Sequence, residues 1–380
     1  MTSTLAQSAA ARQESAPARA KHIRALRIWL GAIAALIVAM ILVGGATRLT
    51  DSGLSITEWQ PIMGAIPPLS DADWTHAFQA YQKIPEYTEI KRGMSLEEFK
   101  TIYWWERAHR FLGRLIGAAF FVPFVVFWLA GYIPRTLLPR LAGLFVLGGL
   151  QGAVGWYMVK SGLVDRTDVS QYRLAAHFGV ALLILGYTLW LVFGLGSERP
   201  TRGAEPAPRG AAWIAGLVLA LIFLQLLAGA LVAGLDAGLV FNTWPQIDGA
   251  LIPSAERLWF ESPGWRNLFE NTLTVQFDHR MAAYVLWIVA VFHLIDVIRA
   301  KRSGAVLNGA LVLACAITLQ AGIGIVTLLH QAPLPLALLH QIMGIVVLTI
   351  AVIHAERFAP QHAAAVAAEP IGVSIPRETA

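Results

Sequence analysis

The chain of 380 residues has a single cysteine, Cys315, and few charged residues, which make up 14% of the total. A lone cysteine excludes an intramolecular disulfide, a four-cysteine zinc site and a four-cysteine iron–sulfur cluster. Soluble domains carry about a quarter charged residues, so the low value disfavours a soluble fold. The net charge of +5 lies mainly in a tail and a few connections. It gives no reason to expect a nucleic-acid partner.

Hydrophobic residues make up 56% of the chain and gather in eight stretches of about twenty, the length that crosses a bilayer. Core helices of soluble proteins rarely reach this length without a charge. The pattern therefore predicts an all-α integral membrane protein with eight transmembrane helices surrounded by lipid. The predicted spans are residues 27–47, 109–131, 137–158, 173–195, 211–233, 279–298, 305–328 and 335–355.

Lysine and arginine concentrate in the N-terminal tail and in the connections after the second, fourth and sixth spans. By the positive-inside rule this side is the cytoplasm, and both termini lie there. We expect disordered cytoplasmic tails at residues 1–26 and 357–380. The long loops 48–108 and 234–278 then face outward. In a bacterium this arrangement predicts a multi-pass protein of the cytoplasmic (inner) membrane, with these loops on the periplasmic side.

A proline-containing linker, residues 196–210, divides the chain into two units of four spans, residues 27–195 and 211–356. The loops after the first and fifth spans repeat one pattern of residues. The pattern is Asp-Ser-Gly-Leu at 51–54 with Trp59 and Pro67, and Asp-Ala-Gly-Leu at 236–239 with Trp244 and Pro253. Because each unit has an even number of spans, the repeat predicts two pseudo-symmetric four-helix bundles of parallel orientation.

Four histidines occur at matching positions, a few residues inside the start of each even-numbered span. They are His109 and His177 in the first unit and His279 and His340 in the second. Histidine is uncommon inside membrane spans and marks a functional site there. Within each unit the two histidines share one depth on different helices, as a metal between helices requires. Opposed imidazoles suit a haem iron, whereas zinc would lack further ligands.

The sequence does not decide the roles of three other histidines. His293 and His354 each follow a paired histidine by 14 residues, about 21 Å along a helix. They suit either a second layer of haem or a satisfied core pair, and the first unit has no counterparts. His330 lies in an outer loop, either solvated or above the second site.

Glu106 lies three residues before His109, on the same helical face. We take Asp278, the acid directly before His279, as its counterpart in the repeat. Asp278 would face in another direction, so the two units differ at a carboxylate. Glu106 is a candidate general base, nucleophile or orienting group. A helix N-terminal acid that stabilises the helix dipole is an equal alternative.

Arg110 and Arg280 directly follow the histidines of the second and sixth spans. Each is a candidate to bind a haem propionate through charge-assisted hydrogen bonds, and an arginine that extends to the membrane interface is the alternative. Trp59 and Trp244 fit an interfacial aromatic belt.

Two amphipathic helices are predicted in the first outer loop. One covers residues 71–83 with Asp71 as its N-cap, and the other covers 95–107 with a capping box at Ser95. We expect both to lie along the outer surface and to cover the first site.

The combined motifs resemble one known family over residues 25–357. They are the Glu-x-x-His-Arg sequence at 106–110, the histidines of the even-numbered spans, and the duplicated Gly-Leu…Trp…Pro loops. Together they resemble haem A synthase. The resemblance implies an oxidoreductase that converts a ring methyl of haem O to a formyl group, giving haem A for cytochrome oxidases.

The resemblance also implies roles for individual residues. His279 and His340 would hold the iron of a haem b cofactor, and His109 and His177 would receive the substrate haem O. Glu106 would take part in catalysis. The implied partners are a farnesyltransferase that makes haem O and an electron acceptor, while the sequence leaves the oligomeric state, including a homo-oligomer, open.

The chain departs from family members that carry paired cysteines in the outer loops, because the positions near Leu54 and Leu239 are apolar. It resembles the subgroup without those cysteines. One alternative is a membrane electron-transfer cytochrome with two haems b and no chemistry on the porphyrin. A transporter is disfavoured because no span carries an ionisable residue at its midplane.

Overall fold

Eight long helices make up most of the molecule. The computed structural model describes residues 16–58, 66–195 and 209–358. In these residues no extended β-strand occurs, and eight helices are long and apolar enough to span a membrane. They are α1 (Ala16–Leu49), α2 (Leu96–Leu129), α3 (Leu138–Asp165), α4 (Gln171–Gly194), α5 (Arg209–Gly234), α6 (Thr272–Arg299), α7 (Gly304–Leu329) and α8 (Leu334–Glu356). The predicted all-α fold with eight spans is confirmed.

The centre of the bundle is formed by helices from both units. α1 and α4 of the first unit pack against α5 and α8 of the second, while α2 and α3 lie on one flank and α6 and α7 on the other. The central helices bury a continuous cluster of aliphatic side chains that includes Leu30, Leu185, Val218 and Ile345. Apolar packing therefore joins the two units along their central helices.

A polar contact also joins the two units at the end of the bundle that carries residues 50–58, 66–95 and 235–271, called here the long-loop end. The Arg48 guanidinium lies 3.0 Å from Asp51, 2.8 Å from Asp168 and 3.0 Å from Asp236. Burial raises the pKa of Asp168, and the charge of Arg48 opposes that rise. One arginine thus links three loops, of which the last belongs to the second unit.

The first helix begins earlier than the sequence predicted. Helix α1 starts at Ala16, so residues 16–26 are helical where a disordered tail was expected, and residues 1–15 lie outside the described part. Alanine, lysine and arginine favour helix in this stretch. The helix is also held by tertiary contacts, since Leu26 is fully buried and the His22 ring stacks on Tyr132 at 3.8 Å. The linker 196–208 and the tail 359–380 likewise lie outside the described residues.

The first outer loop differs from its prediction in two respects. A helix covers Asp71–Tyr81, but its N-cap is Ser70, whose hydroxyl accepts from the backbone of Asp73, and not Asp71. The Ser95 capping box is present, yet the helix it starts continues without a break into the membrane span as α2. No glycine or proline interrupts the chain before Gly113, so nothing ends the helix at the interface. The stretch 95–107 is therefore the first part of α2 and not a separate surface helix.

A buried ion pair fixes this loop to the end of α1. The Lys91 ammonium donates to the backbone carbonyl of Asp51 at 2.7 Å and lies 2.8 Å from Glu86. Glu86 is only 4% exposed, and burial raises the pKa of its carboxyl from 4.5 to about 6. A raised carboxyl pKa means that the folded protein binds this proton more tightly than the unfolded chain does.

Glu86 should therefore make stability depend on pH. Its contribution is fully present below pH 4.5 and is lost as pH rises through about 6, a change of roughly 2 kcal/mol at most. Between about pH 5 and about pH 7.5 the wild-type protein should lose more thermal stability than the Glu86→Gln variant, measured as unfolding temperatures in detergent. Glu89→Gln, in the same short helix but exposed, is the control and should follow the wild type. Parallel pH curves for wild type and Glu86→Gln would contradict this assignment.

Candidate functional site

The two histidines of the first unit face each other inside the four-helix bundle of that unit. His109 extends from α2 and His177 from α4, with ring centroids 6.3 Å apart and ring planes inclined by 76°. The second unit repeats this arrangement with His279 on α6 and His340 on α8, at 6.5 Å and 79°. The structure therefore brings together both pairs of histidines that the sequence singled out.

The separation within each pair fits an iron ion between the rings. Bonds of about 2 Å from one metal to two opposed imidazoles place the ring centroids roughly 6 Å apart. Nδ1 of His177 and Nδ1 of His340 are buried without a hydrogen-bond partner in the described part of the chain. That part also contains no group of three or more His, Cys, Asp or Glu suited to a metal ion. Two-histidine sites of this kind suit an iron whose remaining ligands come from a porphyrin.

Each of the four rings packs against a glycine on an odd-numbered helix. A β-carbon on that glycine would lie between 2.7 and 3.2 Å from the nearest ring atom. The pairs are Gly44 with His109, Gly155 with His177, Gly229 with His279, and Gly324 with His340. All four helices of a unit thus build its site, two with histidines and two with glycines that let the rings approach.

Glutamines accompany three of these glycines, four residues earlier on the same helix. Gln151 Nε2 lies 3.3 Å from His177 Nε2, while Gln225 and Gln320 donate to the backbone carbonyls of His279 and His340 at 3.0 and 2.9 Å. These contacts of the glutamines were not predicted from the sequence. The signal was an amide side chain inside an otherwise apolar span.

Glu106 is buried and makes four hydrogen bonds. Oε2 accepts from the Ser55 hydroxyl and the Ile56 amide, both at 2.7 Å, and Oε1 accepts from Arg110 Nε and Nη2 at 2.9 and 2.5 Å. The side chain is 3% exposed. The carboxylate is thus held between α2 and the loop after α1.

The structural counterpart of Glu106 is Gln276, and the alignment with Asp278 was wrong. Gln276 lies three residues before His279, accepts from Arg280 Nη2 at 2.7 Å and donates to the Ala237 carbonyl at 2.6 Å. Helical register, and not adjacency to histidine, decides which side chain faces the loop. At one equivalent position the first unit therefore has a carboxylate and the second a neutral amide.

The two arginines that follow the histidines hold the outer loops. Arg110 donates to the carbonyls of Ile56 and Glu58 at 2.8 and 3.5 Å. Arg280 donates to the carbonyls of Phe241 and Thr243, both at 2.9 Å. These carbonyls correspond in the two units, and the predicted contact with a propionate stays a prediction.

His293 and His354 form a different kind of pair. Their Nε2 atoms are 2.8 Å apart, and their ring centroids are 5.1 Å apart, closer than in either of the other pairs. Both residues are 1% exposed. A direct hydrogen bond joins α6 to α8 at this level, so the rings leave no room for an iron between them. His330, at the exposed end of α7, forms a hydrogen bond to the Val326 carbonyl of its own helix at 2.8 Å.

The aromatic belt is only partly described. Trp59 lies outside the described residues. Trp244 is 43% exposed and donates to the Tyr284 hydroxyl at 3.0 Å, away from the histidine pair.

Comparison with known proteins places the chain in a family. The family described as "Cytochrome oxidase assembly protein" matches residues 27–352. A "Heme A synthase" of Rhodopseudomonas palustris (strain HaA2) is 56% identical over 364 residues, covering 96% of this chain and 98% of the relative. Another, of Bradyrhizobium diazoefficiens, is 55% identical over 353 residues, covering 93% and 97%. A third, of Rhodopseudomonas palustris (strain BisB18), is 58% identical over 351 residues, covering 91% and 95%. With this identity over nearly the whole length of both proteins, the chain belongs to the haem A synthase family.

Proposed function

We propose that the chain makes haem A by oxidising a ring methyl of haem O to a formyl group, with the chemistry in the first unit and a resident haem b in the second. The observation that carries this division is the exchange of Glu106 for Gln276 at equivalent positions. Two sites with similar histidine pairs differ in one ionisable group. The unit with the carboxylate is the one equipped to move a proton.

The second unit is suited to a permanently bound cofactor. His279 and His340 would ligate the iron of haem b, which supplies one-electron chemistry when bound. Gln225 and Gln320 fix the backbone at both ligands. The neighbouring Gln276 is a neutral amide at the position where the first unit has the Glu106 carboxylate.

In the first unit, His109 and His177 would receive haem O, and Glu106 would accept a proton as the methyl carbon is oxidised. Conversion of the methyl to a geminal diol would remove four electrons, which a separate acceptor would take up, and loss of water from the diol would give the formyl group. That loss needs one group to take a proton from one hydroxyl and to return it to the other, which departs as water. Glu106 is positioned for this by Arg110 and Ser55, which hold both of its oxygens.

The charge distribution supports an orientation. Arginine-rich connections lie opposite the long-loop end, so we infer that this end and both histidine pairs face the periplasm and that both termini are cytoplasmic. Residues 27–195 would form the substrate unit and residues 211–356 the cofactor unit, related by an axis along the membrane normal. The matched glycine and arginine contacts of the two units support that relation. A farnesyltransferase would supply haem O, and a separate acceptor would take up the electrons.

The similar separation in the two histidine pairs is also what a two-haem electron-transfer cytochrome would show. Extraction and chromatography of the haems from purified protein, expressed with and without a source of haem O, distinguish the two functions. We expect haem b alone without that source and haem b with haem A when it is present. Two haems b per chain and no haem A would establish the cytochrome instead.

Glu106→Gln should reproduce the neutral amide of the second unit. An amide of the same size can keep the contact with Arg110, so we expect unchanged haem b content. Haem A formation should fall by about 10²–10⁴-fold, the usual contribution of a positioned acid or base. Asp278→Asn is the matched control and should retain normal turnover. Turnover of Glu106→Gln close to that of the wild type would remove Glu106 from the chemistry.

The glycine contacts predict separate effects on the two sites. A β-carbon at residue 324 would lie 2.7 Å from the His340 ring, so Gly324→Ala should weaken haem b binding by roughly five- to tenfold, typical of overpacking. Gly155→Ala should weaken haem O binding and leave haem b in place. Gly322→Ala, with nothing within 4 Å, is the control. Absorption titrations measure both affinities, and equal losses from Gly322→Ala and Gly324→Ala would exclude the proposed contact.

A further inference from the structure

The first unit has a cavity that opens beside its histidine pair. Its volume is about 340 Å³, and it lies between α2, α3 and the loop after α1. Two lining residues adjoin the site in the chain, because Arg110 follows His109 and Trp156 follows Gly155, the glycine under His177. The cavity therefore adjoins the helix segments that carry His109 and the glycine under His177.

The second unit is closed at the equivalent place. Thr57 and Val159 line the cavity in the first unit, and the repeat aligns them with Asn242 and Leu328. Asn242 donates to the Leu328 carbonyl at 3.0 Å and so ties the loop to α7. The flank helices agree with this difference, since α6 and α7 pack extensively whereas α2 and α3 touch only sparsely.

The helix α3 is exposed along the side of the opening. Gly148, Gly149 and Gly152 would each hold a β-carbon with no atom within 4 Å. Neighbouring apolar residues such as Val146 and Leu150 are exposed as well. In a membrane, this face of α3 contacts lipid.

The lining of the cavity is amphipathic. Ile56, Trp156 and Val159 contribute apolar surface, and Lys160 adds an exposed cation. The Lys160 ammonium lies 4.9 Å from the centre of the Trp156 ring. Lys160 is five residues beyond Gly155, about 7 Å along the helix toward the long-loop end. The aligned residue in the second unit is Leu329. A cation above apolar walls suits an amphiphile that carries carboxylates at one edge.

We propose that the gap between α2 and α3 is the lateral opening through which the substrate porphyrin reaches the first unit, and that Lys160 binds its propionate carboxylate there. This inference rests on the proposed function, because it takes haem O as the ligand of His109 and His177. The closed second unit then retains its cofactor, while the open first unit exchanges substrate and product.

The opening can be tested by blocking it. Val159→Trp fills the cavity, and Thr57→Asn offers the amide that closes the second unit. In purified protein already loaded with haem b, stopped-flow absorption gives the rates of haem O binding and release. A blocked route should slow both rates by about tenfold, because it obstructs the passage of the porphyrin. Leu328→Trp, the matched change in the second unit, should not alter these rates. Wild-type rates in both Val159→Trp and Thr57→Asn would overturn the opening.

Lys160 is tested separately through equilibrium affinity. Lys160→Leu should raise the dissociation constant of haem O by about tenfold, as expected for the loss of one charge-assisted contact. Lys160→Arg should restore most of the affinity. Lys100→Leu is the matched control, since Lys100 also lies over a tryptophan ring, that of Trp74 at 5.6 Å, but outside the cavity. Equal affinities for Lys160→Leu and the wild type, or no recovery with Lys160→Arg, would overturn the role of Lys160.

One further variant distinguishes a failure of the lateral opening from a failure of the proposed function. The wild type should bind haem O, and the variant His109→Ala should not. If haem O fails to bind the wild type, or binds His109→Ala equally well, the proposed substrate site is wrong. If binding needs His109 but ignores every change at Thr57, Val159 and Lys160, only the lateral opening is wrong.

Discussion

The contact between an imidazole and a helix backbone governs the rest of this structure. Each histidine ring has an atom between 2.7 and 3.2 Å from where a β-carbon would lie, so each odd-numbered helix needs glycine at one level. That requirement fixes the depth of four helices in each unit and the distance between opposed rings. Apolar packing in the centre of the bundle could tolerate small shifts of register, but two rings that share one metal could not.

On this common frame, a few substitutions give the units different properties. Glu106 and Gln276 occupy one position as acid and amide, with the same arginine partner in each unit. Close by, Asn242 ties a loop to a helix where the first unit has Thr57. The scaffold places two similar histidine pairs, and under the proposed function charge and access decide what each of them does. The difference in charge requires no change in the course of a helix.

The sequence predicted the features that follow from hydrophobic length and from repetition. Eight spans and four paired histidines depend on residues whose spacing along one helix is visible in the chain. The loop partners of Glu106 were not predictable in this way, because Ser55 and Ile56 lie about fifty residues earlier in the chain. The counterpart of Glu106 was misassigned because the acid next to His279 was chosen and not the residue on the equivalent face of the helix. The sequence did not show which glycines lie under the rings, because contact across helices is set by packing.

The two histidine pairs also lie at the same height. Gln341, next to His340 in α8, donates to the Ile41 carbonyl at 2.7 Å and packs against Gly45 of α1, next to the glycine under His109. The line between the two sites is therefore parallel to the plane of the membrane. Under the proposed function, an electron that passes between the two sites would do no work against the transmembrane voltage, which acts only on charge displaced along the membrane normal. Such an exchange would be electrically silent, and its driving force would be the same in energised and de-energised membranes.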